Sequence, residues 1–280
     1  MDSYCVFGHP IEHSKSPWIQ KRFAELTGQT LQYEKIWVPL EAFSTTVHAF
    51  RAAGGKGCNV TLPFKTEAAA LATACSPRVA LAQACNTLKF DGEQIYGENT
   101  DGLGLVTDLV RNAGFTLQGR RILLIGAGGA AAGVLGPLMS EKPKAIWIAN
   151  RTVDKAIQLA ARHASLAATE GVDCQAFGLM DEAILSQSFD LVINASSSSL
   201  QQAALPVPAS VLQTNGLACD LMYGPAAQAF LQWARANGTE ARDGLGMLVE
   251  QAAASFQLWR GVQPPTQEVL ADLRALVSSS

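Results

Sequence analysis

The chain lacks the features that mark metal-binding, disulfide-rich and nucleic-acid-binding proteins. Its six cysteines are scattered without a C-x-x-C pair, and several lie inside apolar runs. We interpret them as reduced and mostly core residues of a cytoplasmic protein. The four histidines lack the spacing of metal ligands, so no metal site is expected. The net charge is only −3 and basic residues form no stripe, which makes nucleic acid a poor candidate partner.

Long apolar runs are missing as well. None reaches the roughly 18–20 residues that a membrane span needs, so no membrane partner is expected. The first ten residues, "MDSYCVFGHP", lack the basic region and apolar core of a secretory signal. There is no internal repeat, and the serine patches at 196–199 and 278–280 are expected to be loop and tail. What remains is a globular composition of 280 residues, 48% hydrophobic and 16% charged, enough for one large or two ordinary domains.

Short β-like segments alternate with helical segments over the first hundred residues. Strands are expected at 3–7, 31–38 and 58–62, and helices at 17–27, 41–53 and 66–75. The stretch "NTLKFDGEQIYG" predicts a hairpin, because Asp-Gly favours a tight turn. A further helix is expected from about 101 to 113.

A second series of strands and helices begins near residue 120. Strands are expected at 120–125, 144–149, 172–177, 189–194 and 217–220, with helices at 129–140, 152–164 and 225–237. Apolar strands that alternate with helices predict a parallel sheet covered on both faces. The chain ends in two helical segments, 245–260 and 266–277. We therefore predict an α/β unit at 1–100 and another at about 101–240, with the final helices on either, and a ligand cleft between the units.

A glycine-rich turn joins the first strand of the second series to its helix. In "ILLIGAGGAAAG", Gly126, Gly128 and Ala131 fit the pattern G-x-G-x-x-[GA]. Gly126 would permit the tight turn, and Gly128 would let the backbone approach a pyrophosphate at the helix N-terminus. The alternative is a tight turn that binds nothing, but the strand–turn–helix context favours a dinucleotide site.

The next strand ends where an NAD site usually carries Asp or Glu for the ribose hydroxyl. This chain has Asn150 there, followed by Arg151, Thr152 and Lys155. These groups would bind a 2′-phosphate through charge-assisted hydrogen bonds, which favours NADP over NAD. Alternatively, the two cations are a solvated helix start, although positive charge at that end opposes the helix dipole.

Polar residues recur near strand ends in the first unit. In "HSKSP", Ser14 and Ser16 point the same way if the segment is extended, although Ser16 alone could be an ordinary helix N-cap. In "NVTLPFK", Asn59 and Thr61 share one side of a half-buried strand, with Val60 and Leu62 on the other. Such a polar face at the C-terminal end of a strand is typical of ligand sites in open α/β sheets.

Lys65 follows directly on this polar face. A lysine there suits proton transfer, although most lysines are simply exposed on the surface. Asp101 is either its partner or the cap of the next helix, and the sequence leaves this open. Gln251 lies on the apolar face of the helix at 245–260 and needs a partner, either a polar ligand or a core hydrogen bond.

In its motifs the chain resembles the shikimate dehydrogenase family over essentially its whole length. The residues that carry the resemblance are, in chain order, "VFGHPIEHSKSP", "GGKGCNVTLPFK", "NTL", "GENTDG", "LLIGAGGAAAG", "NRT" and "DGLGMLVEQAA". The resemblance implies reversible NADPH-dependent reduction of 3-dehydroshikimate to shikimate, on the route to chorismate and aromatic amino acids. It also implies a discontinuous substrate domain at 1–100 plus 245–280, a Rossmann NADP domain at 101–244, and a monomer or homodimer.

The resemblance also implies a role for individual residues. Lys65 and Asp101 would be the catalytic pair. The substrate would be bound by Ser14, Ser16, Asn59, Thr61, Asn86, Tyr223 and Gln251. The cofactor would be bound by Gly126, Ala127, Gly128, Gly129, Ala130, Asn150, Arg151, Thr152, Lys155, Asn194, Leu221 and Gly244.

Some positions depart from the family pattern. Pro77 stands where an acidic residue is common, Gln83 where glycine is common, and Leu221 where methionine is common; a usual glycine after the serine run is missing.

Three alternative functions remain: a paralogous quinate/shikimate dehydrogenase that uses NAD, a non-catalytic nucleotide-sensing module, and an enzyme of the methylene-tetrahydrofolate dehydrogenase type. The last would share the architecture only, without the motifs "HSKSP" and "NTDG".

Overall fold

The chain divides into two compact units. A computed structural model describes residues 1–196 and 207–278, so most of the predicted serine loop at 196–199 lies outside the described residues. One unit consists of Met1–Gly104 with Leu248–Ser280, and the other of Leu105–Met247. Among the described residues, no helix is long and apolar enough to span a membrane.

The first unit is built on a mixed six-stranded sheet. Its strands are β1 (Asp2–Gly8), β2 (Leu31–Trp37), β3 (Gly55–Val60), β4 (Ala74–Cys75), β5 (Thr87–Asp91) and β6 (Gln94–Glu98). Its helices are α1 (Ser16–Thr27), α2 (Phe43–Ala52), α3 (Lys65–Leu71) and α4 (Pro77–Ala82). The spatial order is β2-β1-β3-β5-β6-β4, and β5 runs antiparallel to both of its neighbours. The antiparallel β5 brings Thr87 opposite Asn59 of β3.

Two helices carry the chain between the units. The helix α5 (Asp101–Thr107) continues as a π-helical turn, Asp108–Asn112, in the second unit. The chain returns through α10, which is numbered after the elements of the second unit and spans Leu245–Arg260, and it ends with α11 (Thr266–Ser278). Both changes of unit fall inside a helix, a few residues after its start, so each helix runs unbroken from one unit into the other.

An aromatic core fixes the start of α3. Phe64, immediately before Lys65, is fully buried and stacks on Phe43 with ring centroids 4.9 Å apart. Phe43 in turn meets Phe7 of β1 edge to face at 6.2 Å. Such rings bury a large apolar area in a specific geometry. The buried ring therefore anchors the chain directly before the lysine.

The predicted strand at 58–62 and helix at 66–75 needed correction. The strand β3 begins earlier and ends at Val60, and Leu62 is 50% exposed, so the expected buried face shared by Val60 and Leu62 is wrong. The chain leaves the sheet after Thr61, whose N–H still bonds to the Phe7 carbonyl. The helix α3 ends at Leu71, because residues 74–75 pair with β6 as a short strand.

The hairpin between β5 and β6 is confirmed, with a two-residue loop. Asp91 still pairs with Gln94, so the loop consists of Gly92 and Glu93. The short helix α4, which the sequence pattern did not predict, ends at Gln83 with a φ of 52°. This left-handed conformation favours glycine, the residue that the resemblance leads one to expect at this position.

The second unit contains a six-stranded sheet in which every pair of neighbours is parallel. Its strands are β7 (Arg121–Ile125), β8 (Ala145–Asn150), β9 (Asp173–Gly178), β10 (Phe189–Asn194), β11 (Leu212–Asp220) and β12 (Glu240–Arg242), in the order β12-β11-β10-β7-β8-β9. Its helices are α6 (Gly129–Ser140), α7 (Val153–Glu170), α8 (Glu182–Leu185) and α9 (Gln228–Ala236). This is the doubly wound order, with its switch point between β7 and β10. The predicted parallel sheet is confirmed; β12 and α8 are additions.

A histidine is buried neutral on α7. His163 is fully buried; its Nδ1 lies 2.9 Å from the Leu159 carbonyl, and its Nε2 has no hydrogen-bond partner in the described part of the chain. Burial lowers the pKa of His163, and the nearby charge of Arg162 acts in the same direction. Protonation is therefore less favourable in the folded chain than in the unfolded chain.

Acidification is expected to destabilise the wild type through this residue. Below about pH 6.5 the unfolded chain binds a proton at His163 before the folded chain does. The free energy of unfolding therefore decreases as the pH is lowered. In His163→Leu this contribution disappears, and the free energy of unfolding should fall less steeply between pH 7.5 and 5. Urea unfolding of both proteins measures the difference. Equal slopes in the two proteins would contradict a buried neutral imidazole.

Candidate active site

A lysine and an aspartate meet at the starts of two helices of the first unit. Lys65 is the first residue of α3 and Asp101 the first of α5. Their Nζ and Oδ2 atoms are 2.6 Å apart, with 14% of the lysine side chain and 2% of the aspartate side chain exposed. The other carboxylate oxygen accepts a hydrogen bond from Asn86 Nδ2 at 2.9 Å. The alternative that the sequence left open is thereby decided: Asp101 reaches Lys65.

The pair has the chemistry of a proton donor with a fixed orientation. A charge-assisted bond to a buried carboxylate holds the ammonium group in one place. An ammonium group carries three protons, of which one is donated to Asp101. The rest of this partly exposed group remains for a ligand oxygen that gains negative charge.

Asn86 connects this pair to α10. Its Oδ1 accepts from the backbone N–H of Thr100 at 2.9 Å, and its Nδ2 also donates to Gln251 Oε1 at 3.0 Å. A backbone N–H can only donate and an ionised carboxylate can only accept. These two groups therefore fix which end of the Asn86 amide faces Asp101.

Gln251 is consequently oriented as well. Its oxygen is used by Asn86, so its Nε2 group faces away from that contact. Within the described residues, no protein acceptor is bonded to Nε2, and the side chain is half-buried. The core hydrogen bond and the ligand contact that the sequence left as alternatives are thus compatible, one for each end of the amide.

The side chain of Asn59 is occupied by protein partners. Its Nδ2 lies 3.0 Å from the hydroxyls of both Thr87 and Ser255, and its Oδ1 accepts from Tyr33 Oη at 2.7 Å. Loss of hydration raises the pKa of Tyr33 well above its ordinary value, so the phenol stays protonated and donates. These protein contacts hold the Asn59 amide in one orientation.

The segment with Ser14 and Ser16 is a turn. Lys15 between them has φ −92° and ψ −3°, and the Ser14 hydroxyl accepts from the Ser16 N–H at 3.3 Å, so the expected extended segment is wrong. Ser16 is the first residue of α1, and the cap position belongs to Lys15, so Ser16 is not an N-cap either. Both serines are half-buried. Thr61 is half-buried too, next to Gly8.

The sequence patterns missed four hydroxyl residues that hydrogen-bond with Asn59 or Asn86. They are Tyr33, Thr87, Thr100 and Ser255. Two had a usable signal: Thr87 directly follows Asn86 in the predicted hairpin, and Ser255 lies one helical turn after Gln251. Nothing in the sequence distinguishes Tyr33 from any other strand tyrosine.

The glycine loop of the second unit contains two kinds of glycine. Gly126 has a φ of 115°, and a Cβ there would lie 2.9 Å from the carbonyl oxygen of Ala195, so the protein itself requires glycine. At Gly128, the cap position of α6, a Cβ would meet no heavy atom within 4 Å. The space beside the N-terminus of α6 is thus open, as a pyrophosphate would require. Ala127, Gly129 and Ala130 are half-buried in the same turn.

The end of β8 presents polar and basic groups. Asn150 Nδ2 donates to the Thr152 carbonyl at 2.8 Å, which holds the turn into α7. Thr152 occupies the cap position of α7 without a side-chain cap bond. Arg151 and Lys155 are exposed and make no ion pair with the described residues. The group fits a phosphate better than a ribose hydroxyl.

Three further predicted cofactor residues lie together at the carboxyl ends of β10, β11 and β12. Asn194 Nδ2 donates to the buried Asp220 carboxylate at 3.0 Å, and the Asn194 carbonyl accepts from the N–H of Leu221. Gly244 approaches Leu221 so closely that a Cβ would overlap its carbonyl group. Tyr223 belongs to the same unit, at the cap position of the turn Gly224–Ala227.

Comparisons with known proteins decide the family. Residues 6–88 match the shikimate dehydrogenase substrate binding domain, 108–203 match shikimate / quinate 5-dehydrogenase, and 244–274 match the shikimate 5'-dehydrogenase C-terminal domain. A shikimate dehydrogenase (NADP(+)) of Acidovorax sp. (strain JS42) is 56% identical over 278 residues, or 99% of this chain and 98% of the relative. The chain belongs to the shikimate dehydrogenase family.

Solved structures agree with membership of this family. A crystal structure of an Ael1 enzyme from Pseudomonas putida is 44% identical with a TM-score of 0.89, covering 98% of each chain. A shikimate 5-dehydrogenase from Thermus thermophilus, solved with NADP(H) and shikimate, is 32% identical with a TM-score of 0.85. It covers 98% of this chain and 99% of its own. The two-domain α/β fold predicted from the sequence is therefore confirmed.

Substitution of the two glycines by alanine separates ligand binding from folding. Gly128→Ala should leave the melting temperature of the ligand-free protein unchanged but raise the Kd for NADP about 10-fold or more, because the methyl group enters the open space. Gly126→Ala should lower the melting temperature, because a positive φ and a backbone clash cost about 1–3 kcal/mol. Thermal melts and fluorescence titration measure both. A lowered melting temperature in Gly128→Ala would show that the protein itself requires that glycine.

Proposed function

We propose that this chain catalyses the reversible NADPH-dependent reduction of 3-dehydroshikimate to shikimate, a step towards chorismate and aromatic amino acids. The observation that carries the proposal is the contact of 2.6 Å between Lys65 and the buried Asp101 in a chain of this family. The first unit, with the returning α10 and α11, is the substrate domain. The second unit is the NADP domain.

In this reaction Lys65 is the proton donor and acceptor. Bound NADPH would supply the hydride. As charge grows on the substrate's carbonyl oxygen, the Lys65 ammonium stabilises it and gives it a proton. In the reverse direction, neutral Lys65 takes the proton of the hydroxyl. Asp101 orients Lys65 and accepts a hydrogen bond from a substrate hydroxyl.

The remaining substrate contacts follow from the polarity of the site. Gln251 offers its amide protons to a substrate oxygen, since its own oxygen is used by Asn86. Ser14, Ser16 and Thr61, all half-buried, bind hydroxyls or the carboxylate. Asn59, Asn86 and Tyr223 complete the proposed set, and Asn59 also donates to the backbone carbonyl of Asn86 at 3.2 Å.

The cofactor contacts divide among three places in the second unit. The backbone from Gly126 to Ala130 binds the pyrophosphate at the N-terminus of α6. Asn150, Arg151, Thr152 and Lys155 bind the 2′-phosphate. Asn194, Leu221 and Gly244 surround the nicotinamide.

A quinate/shikimate dehydrogenase that uses NAD is the second candidate. It would be favoured by an acidic residue at the end of β8, where this chain has Asn150. A non-catalytic nucleotide sensor would not need the close pair of Lys65 and Asp101. A cytoplasmic location and a monomer or homodimer are part of the proposal.

Removal of the Lys65 amine should abolish most turnover. In Lys65→Ala we expect kcat to fall by at least ~10²-fold with little change in KM, because a general acid–base group contributes ~10²–10⁴-fold. Lys56→Ala, at an exposed lysine of β3, is the matched control and should keep normal kinetics. Steady-state oxidation of shikimate measures both. Near-normal kcat in Lys65→Ala would refute its role.

The choice of cofactor and substrate can be tested by pairing NADP or NAD with shikimate or quinate. We expect the highest kcat/KM with NADP and shikimate. Arg151→Ala should lower kcat/KM for NADP about 10–100-fold and leave NAD unaffected, because a hydrogen bond to a charged group contributes roughly 1.5–3 kcal/mol. A wild-type preference for NAD or quinate would favour the second candidate.

A further inference from the structure

Two buried hydroxyl groups contact residues that are proposed to bind the substrate. Thr87, at the start of β5, and Ser255, on α10, are both fully buried. We propose that this hydroxyl pair positions Asn86, and through it Asp101 and Gln251, for the reaction. The inference rests on the proposed function, because it assigns Thr87 and Ser255 a role in that same site.

The pair joins three elements of the first unit. Thr87 Oγ1 and Ser255 Oγ are 2.8 Å apart, and Thr87 Oγ1 is 2.9 Å from Asn86 Oδ1. Ser255 also lies 3.1 Å from the carbonyl of Gln251, one turn earlier on α10. The pair therefore connects β3 and β5 to the segment of α10 that carries Gln251.

Groups with a fixed hydrogen-bonding role determine where the hydroxyl protons lie. Asn59 Nδ2 can only donate, so both hydroxyl oxygens accept from it. Thr87 then donates to Asn86 Oδ1, and the single hydroxyl proton of Ser255 serves the Gln251 carbonyl, which can only accept, and the nearby Thr87 oxygen. Tyr33 donates to the other end of the Asn59 amide, which fixes its orientation. The result is a hydrogen-bonded group in which Thr87 donates to Asn86 and Ser255 connects Thr87 to the backbone of α10.

These hydrogen bonds determine which groups of the site the substrate contacts. Donors at Thr87 and Thr100 hold Asn86 Oδ1 on the buried side, so that Nδ2 faces Asp101 and Gln251. Without the hydroxyl of Thr87, one of these donors is lost and the amide of Asn86 is held less firmly. The donor to Asp101 Oδ1 and the partner of Gln251 Oε1 are then less precisely placed.

Three variants separate the hydroxyl from the volume of Thr87. Thr87→Val removes the hydroxyl at almost constant shape, Thr87→Ser keeps it, and Thr45→Val, at an exposed position of α2, is the matched control. We expect kcat for shikimate to fall about 10-fold or more in Thr87→Val, with KM for NADP unchanged, and to recover to within about 3-fold of the wild type in Thr87→Ser. Thr45→Val should match the wild type. Ser255→Ala provides a second test if Thr87→Val does not fold.

A structural readout separates this inference from the proposed function. Crystal structures of the wild type and Thr87→Val should show Asn86 Nδ2 moved away from Asp101 Oδ1 in the variant. An unmoved amide, a wild-type kcat in Thr87→Val, or an equal loss in Thr87→Ser would overturn the positioning role. Failure of the wild type to oxidise shikimate with NADP would overturn the proposed function, whatever the position of the amide.

Discussion

The side chain of Asn86 must accept from a backbone N–H and donate to a carboxylate at the same time. Only one orientation of the amide satisfies both Thr100 and Asp101. That orientation then decides which atom every neighbour presents. Because Gln251 has to offer its oxygen to Asn86, its amide protons face away, and because Asp101 is held from one side, its other oxygen is free to hold Lys65. One buried amide thus determines which atoms of the neighbouring side chains act as hydrogen-bond donors and which as acceptors.

The fold brings these groups together from distant parts of the chain. The antiparallel β5 lies beside β3, which sets Asn86 and Thr87 next to Asn59. The helix α10 returns to the first unit and adds Gln251 and Ser255 from a distant part of the sequence. Packing of Phe64 on Phe43 fixes the residue before Lys65. A buried polar network of this kind is effective only when every member is satisfied, so sheet register, helix return and aromatic core all contribute to the same geometry.

Periodicity predicted most of the elements and the parallel sheet of the second unit, because apolar spacing reports burial directly. It failed where local contacts decide the course of the chain. Leu62 is exposed because the strand ends before it, and the segment of Ser14 and Ser16 turns because a serine hydroxyl binds a backbone N–H. The contact between Lys65 and Asp101 could not be derived from spacing alone, since a helix cap fits the same aspartate. The family motifs indicated that pair, whereas nothing in the sequence distinguishes Tyr33 from any other strand tyrosine.

The two units recognise their proposed ligands by different physical means. In the second unit, backbone geometry makes the proposed pyrophosphate site: Gly126 is glycine because the protein leaves no room, and Gly128 is glycine although the protein leaves ample room. In the first unit, side chains make the site, and most of their hydrogen bonds are already used within the protein. What remains is a small set of donors on Lys65 and Gln251 beside an acceptor on Asp101. A ring that carries a ketone or hydroxyl next to further hydroxyls matches that set, since each oxygen can accept from a donor and each hydroxyl can donate a hydrogen bond to the carboxylate.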